Sequence, residues 1–92
     1  MTLTLDETKK YLRLDTDDED ALLETLMNSA EKMCADIIRV SVDNLAYLMD
    51  DNIRTAMLYA TAYLFEHREE ADHHALMLNL RAMLFGVRQE GF

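Results

Sequence analysis

Apolar positions recur at helical spacing along almost the whole chain, and four helices follow from them. The first is predicted from about Leu5 to Arg13, with Leu5, Thr8 and Leu12 on one face and Tyr11 beside them. Thr4 and Glu7 stand at capping-box spacing, so each can satisfy a backbone N–H of the other's first turn. Lys9, Lys10 and Arg13 fall near the C-terminal end, where the helix dipole favours cations. The second helix is predicted from about Asp18 to Val40. At ~100° per residue its Leu22, Leu23, Leu26, Met27, Ala30, Met33, Cys34, Ile37 and Ile38 share one broad side. Glu24, Thr25, Asn28, Glu31, Lys32, Asp36 and Arg39 take the other. That apolar sector is wider than the ~100° of an ordinary surface helix and suits contact with two neighbouring helices.

The third helix is predicted from about Asp51 to Glu70. Ile53, Met57, Ala60 and Leu64 form one stripe, while Leu58, Ala62 and Phe65 form another well round the cylinder. Thr55 to Phe65, TAMLYATAYLF, is uncharged throughout. A helix apolar on all sides is a buried helix, and a short chain has few elements to bury it with. Part of this surface is therefore expected to face another subunit. The fourth helix is predicted from about Asp72 to Phe85, with Leu76, Leu80, Met83 and Leu84 inward and Leu78 and Phe85 nearly opposite. Gly86 suits the left-handed position just past a helix end. Ser41 to Asp50 is a connector that the pattern does not resolve.

Composition agrees with an all-α bundle of about four helices, with one long central helix pair and a single domain spanning 1–92. The chain holds no proline and two glycines among its 92 residues, so few turns are marked. Half its residues are apolar, too many for a disordered chain. A chain of this length buries about two-thirds of its unfolded surface, which leaves modest stability of its own. The formal charge of −9 excludes general nucleic-acid affinity, because phosphate-neutralising side chains are too few. One cysteine, Cys34, cannot form an internal disulfide, and a reducing cytoplasm is the simplest setting. Acids and lysines follow Leu5 at once, unlike a secretory leader. The uncharged run of the third helix has about half the ~20 residues of a membrane span.

Candidate chemistry is thin. In DTDDED the calcium-loop ligand spacing and central glycine are missing, so Asp17 reads as an N-cap and Asp18, Glu19 and Asp20 as first-turn acids. His67, Glu70 and His74 share a face if the third helix runs on unbroken, and His73 lies beside them. A metal-dependent hydrolase built on His67, His73 and His74 is thus one reading, but no His-Glu-x-x-His motif supports it. Cys34 lies in the apolar arc and reads as a structural thiol. No glycine-rich phosphate loop or nucleophile elbow occurs. Neither a catalytic, cofactor nor metal residue is therefore expected. Met27, Met33, Met57 and Met83 fall on core stripes.

The order of motifs resembles the small head–tail connector proteins of tailed bacteriophages, also described as DNA-packaging or adaptor proteins. Tyr11, Leu12, Arg13, Leu14 and Asp15, followed by the acidic helix start Asp17 to Leu23, match one family pattern. The run Ala60 to Glu69, ending in Phe65, Glu66, His67, Arg68 and Glu69, matches a second. Leu84, Phe85 and Arg88 match a third. Ser41 to Asp50 aligns with no family feature, and the family's proline in its later helices is missing. The resemblance implies a non-enzymatic virion protein without cofactor. Many copies would form a ring beneath the portal, contact tail-completion proteins, and let DNA pass without specific binding. Such a protein is made in the host cytoplasm, from a phage or a prophage, and has no membrane partner. Leu58, Phe65, Leu78 and Phe85 are then the expected interface apolars, and Arg68 a register-setting charge. The rival reading is a small regulatory or antitoxin-like protein that binds one protein partner, as a dimer rather than a ring.

Overall fold

In the computed structural model of the chain, residues 3–39, 51–70 and 72–84 are described. They form four α-helices and, among the described residues, no strand: α1 (Leu5–Leu12), α2 (Asp20–Ile38), α3 (Asp51–Glu66) and α4 (His73–Leu84). The connector 41–50, Phe85, Gly86 and Arg88 lie outside the described residues.

Local sequence explains most helix ends. The Thr4–Glu7 capping box forms as its spacing predicts: Glu7 N–H donates to Thr4 Oγ1 at 3.1 Å, and Thr4 N–H donates to Glu7 Oε1 at 3.3 Å. α1 stops at Leu12, because Arg13 turns left-handed at φ 60° and its N–H reaches back to the carbonyls of Lys9 and Lys10. Arg39 ends α2 in the same way at φ 62°, so that helix does not reach Val40. α4 starts at His73, and Asp72 caps it by accepting from Ala75 N–H at 3.0 Å.

Two expectations about helix ends need correction. Asp17 is not the N-cap of α2, which begins at Asp20 after Glu19, without a side-chain cap. Lys9 comes within ion-pair distance of both Asp17 and Asp20, so the Asp17 carboxylate meets a cation rather than an amide. α3 ends at Glu66, and residues 67–70 turn. His67, Glu70 and His74 therefore do not share a continuous helix.

α2 and α3 are the long central pair. The residue pairing of Arg68, just past α3, with Glu19, just before α2, shows that they run antiparallel. α2 contacts α1, α3 and α4, and α3 contacts α1, α2 and α4, whereas α1 and α4 do not touch. Three neighbours rather than two widen the buried sector of α2. It takes in Ala35 and also Glu31, which the sequence places on the polar side but which is only 6% exposed.

The core joins Met27, Ala30, Cys34 and Ile38 of α2 to Ile53, Met57, Ala60 and Leu64 of α3 and to Leu76, Leu80 and Leu84 of α4. Leu3, ahead of α1, closes one margin. Ala30, Ala56 and Ala60 are wholly buried, which lets the helix backbones approach closely. Two buried hydroxyls are satisfied within their own helices: Thr61 donates to the Met57 carbonyl at 2.8 Å and Thr8 to that of Thr4 at 3.0 Å.

Met57 is fully buried, so Met57→Ala should destabilise the fold by about 2–5 kcal/mol through lost contacts and a residual cavity. Leu78→Ala, on the open side of α4, should change stability by no more than about 0.5 kcal/mol. Urea unfolding followed by circular dichroism checks both.

Candidate assembly surface

Surplus apolar surface begins with α3. Its fully buried sector holds Ile53, Ala56, Met57, Ala60, Thr61 and Leu64, while Leu58, Tyr59, Ala62, Tyr63 and Phe65 are half-buried around it. Neighbours in the same chain cover much of that second sector. α1 lies along it, fixed by Arg54, whose Nη1 donates to both Glu7 oxygens at 2.7 and 2.8 Å. α4 reaches its other flank through two tyrosine hydroxyls. Asn79 Nδ2 donates to Tyr59 Oη at 3.0 Å, and Asp72 N–H donates to Tyr63 Oη at 3.1 Å.

The five expected interface residues fare differently. Leu58 is half-buried against the core of its own chain. Phe65 is half-buried, with the Arg68 guanidinium 4.9 Å from its ring centre. Arg68 Nη1 also donates to Glu19 Oε2 at 3.1 Å, tying the end of α3 to the start of α2. Leu78 is 50% exposed, on the side of α4 opposite Leu76 and Leu80. Phe85 lies outside the described residues. The structure brings Phe65 and Arg68 together.

Tyr11 is not among the residues expected at the interface. At 48% exposure it joins Leu78 as the exposed large hydrophobics among the described residues. It borders a groove between the end of α1 and the outer side of α3, about 390 Å³ in volume, with Leu12, Tyr59, Ala62 and Tyr63. Arg13 and Glu66 stand at its edges. His67 stacks on Tyr63 with ring centres 4.2 Å apart, and its Nδ1 lies 3.0 Å from the Tyr63 carbonyl. The available signal for Tyr11 was its place one step off the Leu5–Thr8–Leu12 stripe.

Charged side chains mostly hold helices together. Lys9 is held above its ordinary value by hydrogen bonding to Asp17 and then Asp20, and the same ammonium lowers Asp17. Burial pushes the Cys34 thiol up to about 12, with Glu31 adding to the shift. That makes Cys34 a poor nucleophile at neutral pH. Among the described residues no group of His, Cys, Asp and Glu is placed to hold a metal ion, and no helix is long and apolar enough to cross a membrane.

These features define a small all-helical bundle in which, among the described residues, the exposed large apolar side chains lie on two helices that do not touch. Residues 2–87 match the family described as phage gp6-like head-tail connector protein. The chain belongs to that family, whose role is structural, at the connection between phage head and tail. No curated protein and no solved structure matches the chain.

The pKa shifts give stability a defined pH dependence. Asp17 is depressed, so its contribution is present above the ordinary carboxylate value of 3.8 and is lost as pH falls through its lower folded value. Lys9 is raised, so its contribution is present below 10.5 and is lost as pH rises through its higher folded value. The stability gap between the wild type and Lys9→Met should therefore be flat near neutrality and narrow at both extremes, as urea titrations at several pH values would show.

Cys34 acts on the alkaline side alone. The unfolded chain ionises this thiol above 9.0 while the folded chain keeps it protonated to about 12, so stability falls as pH rises between those values. Cys34→Ala should remove that part of the slope. In the native protein at neutral pH, Cys34 should label with a maleimide only as fast as the bundle opens.

Proposed function

We propose that copies of this protein close into a ring at the head–tail junction, dock on the portal and on tail-completion proteins, and leave a central passage for DNA. The connector role of the family is the observation that carries this reading. Leu78 is compatible with it, since a half-exposed leucine opposite the core stripe of its helix leaves apolar surface open to a partner. Tyr11 and Leu78 stand on helices that are not in contact, and contacts between unlike faces generate rings when the rotation closes.

The charge of −9 fits a passage through which DNA slides without being gripped. In this reading residues 1–92 act as one connector domain with no cofactor and no reaction of their own. The protein is made in the host cytoplasm, from a phage or prophage genome, and ends in the virion.

Native mass spectrometry of the purified protein should give one closed assembly of many copies. Leu78→Asp should weaken that assembly while leaving the helical circular-dichroism signal unchanged. A wild-type dimer at all concentrations would instead favour a regulatory protein with a single partner. Full assembly by Leu78→Asp would remove Leu78 from the interface.

A further inference from the structure

We propose that the Leu78 ridge of α4 in one copy seats in the Tyr11 groove between α1 and α3 of the next copy. The contact rests on the ring reading above and specifies which two faces meet.

Four observations carry it. First, Tyr11 and Leu78 are the exposed large hydrophobics among the described residues, at 48% and 50%. One contact between unlike faces removes both from water. Second, one face projects and the other is recessed. Around Leu78, Ala75 and Ala82 form one flank at helical spacing, so the leucine stands above small neighbours. The groove is about 390 Å³, its apolar lining coming from Tyr11, Leu12, Tyr59, Ala62 and Tyr63.

Third, the groove's lining is braced before any partner arrives. Tyr59 and Tyr63 have their hydroxyls held by Asn79 and Asp72, and His67 stacks on the Tyr63 ring. Little side-chain order remains to be lost on docking. Fourth, among the described residues, the ridge carries a cation for the groove's one carboxylate. α4, HHALMLNLRAML, contains no carboxylate in a chain of net charge −9, and its other flank beside Leu78 carries His74 and Arg81. Arg81 has no ion pair among the described residues. Glu66 lines the groove at the end of α3, with Arg13 at the end of α1. Arg81 of the incoming ridge is the cation for Glu66.

Cross-linking tests the pairing directly. Tyr11→Cys and Leu78→Cys variants are treated with a short bis-maleimide, separately and mixed; the buried Cys34 stays silent, as a wild-type control shows. The mixture should yield a covalent dimer, and the double variant a ladder up to the full ring. Each single variant alone should yield none.

Self-cross-linking of Leu78→Cys would overturn the pairing, and so would its capture by a Leu26→Cys partner in place of Tyr11→Cys. An oligomeric wild type with no cross-links in the mixture would refute this contact and leave the ring standing. A monomer under all conditions would refute both. Charge exchange gives an independent reading: Arg81→Glu should weaken self-association about tenfold, and Glu66→Arg in the same chain should restore it. No rescue would count against the Arg81–Glu66 register.

Discussion

Helix α3 has to be surrounded. With no charge between Arg54 and Glu66, it carries apolar or weakly polar side chains around its whole circumference, and water would meet them on every side the chain failed to cover. The rest of the bundle is arranged around that need. α2 lies antiparallel against one side, α4 against another, and the short α1 along much of what remains. Three helices cannot close the cylinder fully. Leu58, Ala62 and Phe65 stay half-buried, and the gap beside α1 becomes the groove at Tyr11.

Helices with local causes were legible in the sequence, and so was the family. The Thr4–Glu7 cap needs only residues three apart, and the inward stripes of α2 and α4 need only a 3.6 period. Pairings across the fold were not legible. Arg54 with Glu7 and Arg68 with Glu19 are 47 and 49 residues apart, and no local pattern couples them. Asp17 shows how the two kinds of information compete. A carboxylate ahead of a helix can satisfy a nearby amide or a distant cation, and Lys9 takes it here. Glu31 became buried because α2 has three neighbours, a number the sequence pattern does not contain.

The candidate surface divides along the same line. Leu78 was legible because it stands opposite its own helix's core stripe, a property of one helix. Leu58 was expected in the open and is half-covered, because α1 and α4 close around α3. Tyr11 depends on how α1 lies across α3, so its exposure appears with the tertiary structure alone. Charge behaves likewise. The acids around the start of α2 read as local helix chemistry, yet Lys9 and Arg68 turn three of them, Asp17, Asp20 and Glu19, into fastenings between elements.

Glu7 serves two masters. Its carboxylate closes the capping box of α1 and also accepts both hydrogen bonds from Arg54 of α3. Winding the first turn of α1 and mooring that helix to the bundle therefore share one oxygen atom, Glu7 Oε1. Lys9 moors the same helix a second time, to Asp17 and Asp20 around the start of α2. The groove at Tyr11 has α1 as one wall, so its shape is set by both of these moorings.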